Sequence, residues 1–309
     1  MSSYLWQKTK TVGKIILASS MLYFGTGCTS TTLLKTYEKE SPLVVHFLNV
    51  GNADSHLIET PNNKLILIDG GKERHGKRIS KYIATLGYEK IDYVIASHPH
   101  YDHVGGLDVI MKKIEVDNVI DNGLKFKTKA YKEYIKYAKQ QNLISISKDT
   151  TINVDPELEI RLMVAYDNNE GLNELTNDNS ILVRLDYKDA SFLFTGDLET
   201  EGERDLLNDD ENLDVDVLKI GHHGNRTSTS QEFLDAISPK IVIIPTNKAK
   251  RTSSPHKVVL DRLINIETYR TDIDGDIIIS TDGINYNITT KNSLIDKTNS
   301  MLIELKHKL

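Results

Sequence analysis

The stretch SHPHYDHVGG, Ser97 to Gly106, sets His98, His100, Asp102 and His103 within six positions of a chain that has 10 histidines in 309 residues. The apolar run just before it, through Tyr93 to Ala96, reads as a buried strand. His98 and His100 therefore fall just past a strand end, two apart on extended chain, and share a face from which both imidazoles can reach one ion. Gly105 and Gly106 follow, and then Leu107, Ile110, Met111 and Ile114 recur at helical spacing. That puts Asp102 and His103 at the turn entering a helix, able to serve a second ion a few Å away. Imidazole and carboxylate suit zinc, manganese or iron. A polar surface loop with Asp102 as a helix cap would need none of the three histidines.

Two later stretches have the same form. In SFLFTGDLE and VDVLKIGHHGNRTS an apolar strand ends in glycine and at once presents a ligand: Asp197 in the first, His222 or His223 in the second. Open sites are built where strands end along one rim of a sheet. Asp197 alone would be ordinary turn chemistry, but beside the other loops it reads as a carboxylate bridging two ions. Asp69, between KLILI and Gly70-Gly71, is placed to accept a hydrogen bond from a ligand histidine and so orient it. Asp54 is a weaker candidate for the same task.

Outward from these loops, LVVHFLNV, KLILID, LEIRLMVA, SILVRLDY, KIVIIP and DIIISTDG read as further strands. KERHGKRISKYIATLGY, DHVGGLDVIMKKI, TKAYKEYIKYAKQQN and PHKVVLDRLIN read as helices. Strands and helices alternate across two halves, which predicts an α/β protein with two packed sheets covered by helices, an αββα sandwich, over about residues 43–290. Residues 291–309 form a C-terminal tail.

HPHYDH, TGD and GHHG, preceded by LNVGNADS and LILIDGG, resemble the metallo-β-lactamase superfamily, and among its branches the hydrolase domain of ComEC-like DNA-uptake proteins. The resemblance spans roughly residues 43–285. It implies an αββα sandwich with a two-metal hydrolytic site at one edge. It further implies that His98 and His100 hold the first metal, Asp102 and His103 the second, with Asp197 between them and either His222 or His223 closing the second site. Many members add a third histidine to the first metal, whereas the corresponding loop here, TNDNS (residues 176–180), has none. Asp178 or Asn179 can approach that metal, or the loop only caps a strand. Relatives often carry Gly-His-Pro-His ahead of the last helix; here SSPH leaves His256, a substrate contact or a helix-start residue.

The N-terminal segment, residues 1–28, has Lys8, Lys10 and Lys14, then an apolar run Ile15–Phe24, then small residues ending at Cys28, the only cysteine. This is the layout of an export leader. Thr-Gly-Cys resembles a lipoprotein cleavage site, with Cys28 lipidated and the chain tethered to the extracytoplasmic face of the membrane; secretion without an anchor is the alternative. Residues 29–42 read as a polar tether. With one cysteine, no internal disulfide can form.

Lys+Arg 38 against Asp+Glu 44 gives a net charge of -6, so no global positive field draws the chain to a polyanion. Lys248, Lys250, Arg251 and Arg226 form a modest basic group near the expected rim. No GxSxG, Ser-x-x-Lys or P-loop pattern is present. The reading is an exported hydrolase in which two divalent ions, zinc or manganese, activate a water, with Asp102 and Asp197 as the residues closest to the chemistry. An anionic phosphodiester fits a paired-cation site: DNA, or a phosphodiester of the cell envelope. An amide or ester hydrolase of β-lactamase type and a non-catalytic accessory protein of DNA uptake are the other readings.

Overall fold

Residues two apart share a face of an extended chain, and that rule sorts the apolar side chains here into three layers. The structure is a computed structural model and describes residues 42–165, 177–208, 212–247 and 254–291. The expected leader, the tether up to residue 41, Cys28, Lys248, Lys250, Arg251 and the tail beyond Lys291 lie outside the described residues.

Strands β1 (Leu43–Phe47), β2 (His56–Glu59), β3 (Leu65–Ile68), β4 (Lys90–Ile95), β5 (Glu115–Asp121) and β6 (Asn142–Ser145) come first. The chain then builds β7 (Thr150–Ile152), β8 (Glu159–Val164), β9 (Ile181–Tyr187), β10 (Ala190–Phe194), β11 (Val217–Lys219), β12 (Ile241–Ile244) and β13 (Glu267–Arg270). Finally β14 (Ile277–Thr281) and β15 (Tyr286–Thr290) return to the first group. The result is an 8-stranded sheet, β15-β14-β1-β2-β3-β4-β5-β6, and a 7-stranded sheet, β13-β12-β11-β10-β9-β8-β7.

Leu43, Val45 and Phe47 of β1, Ile58 of β2, Ile66 and Ile68 of β3 and Ile95 of β4 turn inward to meet Ile160, Leu162, Val183, Leu185, Phe192 and Phe194 of the second sheet. The alternate residues face out. Leu57, Leu65, Leu67, Ile91, Val94 and Val119 are covered by helices α1 (Gly76–Leu86), α2 (Tyr101–Val104), α3 (Leu107–Met111) and α4 (Lys129–Ala138). Leu182, Leu193, Leu218, Val242 and Ile244 are covered by α5 (Thr200–Asn208), α6 (Gln231–Ile237) and α7 (Lys257–Arg262). A one-turn helix, α8 (Thr271–Asp274), leads into β14.

This is the expected αββα sandwich, with local differences. DHVGGLDVIMKKI is two short helices, α2 and α3, with Gly105 and Gly106 between them. A Cβ on Gly106 would lie 2.2 Å from the Gly70 carbonyl oxygen, so the ligand-bearing turn and the Asp69-Gly70-Gly71 turn can pack backbone to backbone only with glycine there. Gly70 N–H donates to His103 O at 2.7 Å and Gly106 N–H to Gly71 O at 2.8 Å. Among the described residues no helix is long and apolar enough to cross a membrane.

Candidate metal centre

β3, β4 and β5 run parallel in one sheet, and β10, β11 and β12 run parallel in the other. The carboxyl ends of β3, β4, β10 and β11 carry Asp69, the 97–103 turn, Asp197 and His222–His223, and the side chains of these turns meet in one cluster. The last turn is strained. His222, His223 and Gly224 all take positive φ, at 44°, 54° and 76°, and non-glycine residues held there cost of order 1–3 kcal/mol each.

Two groups of ligand atoms form, each with its members within 4.8 Å of one another: His98, His100 and Asp197, and Asp102, His103 and His223. His98 Nε2 lies 3.0 Å from His100 Nδ1 and 3.8 Å from Asp197 Oδ2. His103 Nε2 lies 3.2 Å from Asp197 Oδ2, and His223 Nε2 lies 3.7 Å from Asp197 Oδ1. Asp197 thus stands between the groups, one carboxylate oxygen toward His98 and His103 and the other toward His223. A third grouping, Asp54, His103 and Asp197, overlaps them.

The Nδ1 atoms of His103 and His223 are already committed. His103 Nδ1–H donates to Asp69 Oδ2 at 2.7 Å, and that carboxylate also accepts from Ser97 N and Ser97 Oγ at 2.9 and 2.7 Å. His223 Nδ1–H donates to the Pro245 carbonyl at 3.1 Å. Each bond fixes a tautomer and leaves the Nε2 lone pair facing the cluster. Yet His103 Nε2, His223 Nε2 and Asp197 Oδ1 are buried and have no hydrogen-bond partner within the protein. Unpaired buried polar atoms cost roughly 1–3 kcal/mol each, and three that converge fit a cation. Burial alone would push Asp197 up, but His103, His223 and His98 around it hold its carboxyl well below the usual range. Burial and then the neighbouring His103 keep His98 well below the ordinary imidazole value, in the neutral form a ligand needs.

Beneath the cluster, Lys219 is fully buried, pairs with Asp54, and donates to the Gly196 carbonyl at 2.6 Å, one residue before Asp197. Asp54 Oδ1 lies 3.3 Å from His223 Nδ1. Burial would raise the Asp54 carboxyl, but the Lys219 ammonium and His223 hold it well below the usual carboxylate range. Sequence reading ranks Asp54 low and passes over Lys219. The signal was a lysine inside the apolar run VDVLKIG. Ser180 was missed as well, although its hydroxyl accepts from Asp197 N at 3.0 Å.

His222 and His223, open alternatives in the sequence, separate here. His223 belongs to a ligand group, while His222 Nδ1–H donates to Glu199 Oε1 at 2.6 Å and its Nε2 stays 3.8 Å from Asp197 Oδ2. Asp178 spends its Oδ1 on the backbone N–H groups of Glu199 and Gly202, at 2.7 and 3.2 Å, at the start of α5. The Asn179 carbonyl accepts from Asn122 Nδ2 at 2.8 Å. His256 caps α7, accepting from Val258 N at 3.3 Å. Asp178 and His256 join none of the ligand groups among the described residues. Of the expected basic group, only Arg226 is described, and it is exposed.

Residues 48–246 match the family described as the Metallo-beta-lactamase superfamily. The chain belongs to that superfamily. Its members are usually hydrolytic, and the fold implies divalent metal binding. ComE operon protein 3 of Bacillus subtilis is 29% identical over 288 residues, covering 86% of this chain and 37% of that protein. Competence protein ComA of Neisseria gonorrhoeae is 27% identical over 239 residues, covering 76% of this chain and 32% of its own length. The chain therefore spans about a third of these competence proteins. Among solved structures, the metallo-beta-lactamase fold protein YhfI from Bacillus subtilis aligns with a TM-score of 0.50 at 12% identity, covering 77% of this chain and 99% of that one.

Proposed function

We propose that the chain is a metal-dependent hydrolase of phosphodiesters, with DNA or a cell-envelope phosphodiester as substrate. One observation carries the reading: Asp197 of the first ligand group lies 3.2 Å from His103 Nε2 and 3.7 Å from His223 Nε2 of the second, and these two ring nitrogens and Asp197 Oδ1 are buried without partners within the protein. His98, His100 and Asp197 would hold one divalent cation, and Asp102, His103 and His223 the other. Such a pair supplies Lewis acidity and an activated water at neutral pH.

The protein's own groups do the rest. Asp69 keeps His103 in the Nδ1–H tautomer, the Pro245 carbonyl does the same for His223, and Lys219 holds the loop that aims Asp197. Asp102 is only partly buried, unlike Asp197, so of the two ligand carboxylates it is the one that could take up a proton in contact with solvent. No third histidine joins His98 and His100 in a ligand group among the described residues, which disfavours the amide or ester alternative.

The test is bound-metal analysis together with hydrolysis of bis-p-nitrophenyl phosphate, zinc and manganese supplied separately, and Asp102→Ala as control. Turnover lost in that variant supports the reading. Metal-loaded protein inert on this diester and on DNA favours a non-catalytic part in DNA uptake, the second reading that the similarity to competence proteins motivates. We also propose export with a lipid at Cys28. Cys28→Ser would then move the protein from the membrane fraction to the soluble one, and an unchanged distribution rejects the anchor.

A further inference from the structure

We propose that a strip of aromatic and basic side chains beside His100 holds an unpaired polynucleotide strand, with a base stacked on Tyr101 and the phosphates tracked by Lys72, Lys125 and Lys127. The proposal rests on the phosphodiesterase reading and narrows its substrate. Tyr101 sits between the ligands His100 and Asp102, so the backbone of the cluster fixes its position, yet its side chain is 53% exposed. It is the one aromatic among the strongly exposed large apolar side chains of the described residues.

Lys72 Nζ lies over one face of the Tyr101 ring, 4.9 Å from its centre, so that face already holds a cation and the opposite face is the candidate platform. The Phe126 ring stands edge-on to the His100 imidazole with centroids 5.4 Å apart. Phe126 lies in the loop between β5 and α4, where Lys125 and Lys127 are exposed and Phe126 is half-buried, and the exposed Lys129 opens α4. From Asn122 to Lys132 no carboxylate interrupts the lysines, in a chain that is acidic overall. Lysines interleaved with aromatics are the means by which single strands are held: charge follows the backbone, and bases, available only when unpaired, stack on rings. A polymer without bases would use the lysines alone.

Binding separates these cases without relying on turnover. Fluorescence anisotropy of the full chain in EDTA would use a labelled oligo-dT of about 12 nucleotides and an abasic strand of the same length. Tyr101→Ala is expected to weaken oligo-dT binding roughly tenfold, and Tyr101→Phe to restore it. Lys125→Ala with Lys127→Ala is expected to reduce the slope of log affinity against log salt by about 0.7 per lysine. Equal affinity of Tyr101→Ala and the parent chain for oligo-dT, or of the parent chain for the abasic strand and oligo-dT, overturns the strip. Absence of diester hydrolysis by the metal-loaded parent chain would instead strike the phosphodiesterase reading, a result these binding curves do not share.

Discussion

Lys219 and Asp54 form an ion pair in which neither side chain is more than 1% exposed, and the pair underlies both Asp197 and His223. Removing one partner leaves the other charge buried and uncompensated, at a cost of roughly 3–5 kcal/mol. Lys219→Met should therefore lower the unfolding free energy by about that much in urea denaturation. Lys219→Met combined with Asp54→Leu should recover a large part of it. A single variant as stable as the parent chain would mean the pair is not held as described.

Asp69 accepts from His103 Nδ1 and twice from Ser97, and so decides which imidazole nitrogen faces the cluster. Asp69→Asn keeps the size but loses an acceptor. It should weaken metal binding about 10- to 100-fold in chelator-competition titrations while the far-ultraviolet dichroism stays that of a folded protein. Affinity within twofold of the parent chain would remove Asp69 from this part.

The His222–Glu199 bond gives stability a defined pH window. Burial would lower His222, but the Glu199 hydrogen bond raises it above its ordinary 6.5; burial would raise Glu199, but His222 and Thr227 hold it below its ordinary 4.5. A raised histidine contributes fully below 6.5 and loses its contribution as pH climbs through the folded value. A lowered glutamate contributes fully above 4.5 and loses its contribution as pH falls through the folded value. In metal-free protein, the stability lost in Glu199→Gln should be largest between pH 4.5 and 6.5, on the order of 1 kcal/mol, and shrink on both sides. Denaturation curves at a series of pH values check this, and a flat difference would reject it.

Gly106 approaches Gly70 so closely that a methyl group has no room. Gly106→Ala should cost more than ~2 kcal/mol and depress metal retention as well, because the displaced backbone carries Asp102 and His103. A thermal melt and metal analysis on the same sample read both effects.

The ligand turns were legible because their information is local: strand, turn and ligand follow within a few residues at 93–103, 192–197 and 217–223. The layering was legible from the same apolar runs. β5 was hidden because Glu115 and Asp117 are exposed and Asn118 half-exposed between buried valines, so EVDNVID lacks an apolar run. β6 is an almost wholly exposed edge, and α5 buries Gly202 and Glu203 beside Leu206, which no apolar stripe reveals. Lys219 was overlooked because its partner Asp54 is distant in sequence, and only folding makes a buried ammonium sensible. The basic and aromatic alternation around Phe126 falls just ahead of the helical stretch TKAYKEYIKYAKQQN, in a loop where no strand or helix spacing draws attention to it.

The two ligand groups divide the chain in time as well as in space. His98, His100, Asp102 and His103 emerge early during synthesis, whereas Asp197 and His223 come from the other sheet, close to a hundred residues or more later. Neither half alone assembles the cluster. A fragment that ends before the second sheet is complete therefore leaves each group one residue short, and neither is whole until the two sheets have closed on each other.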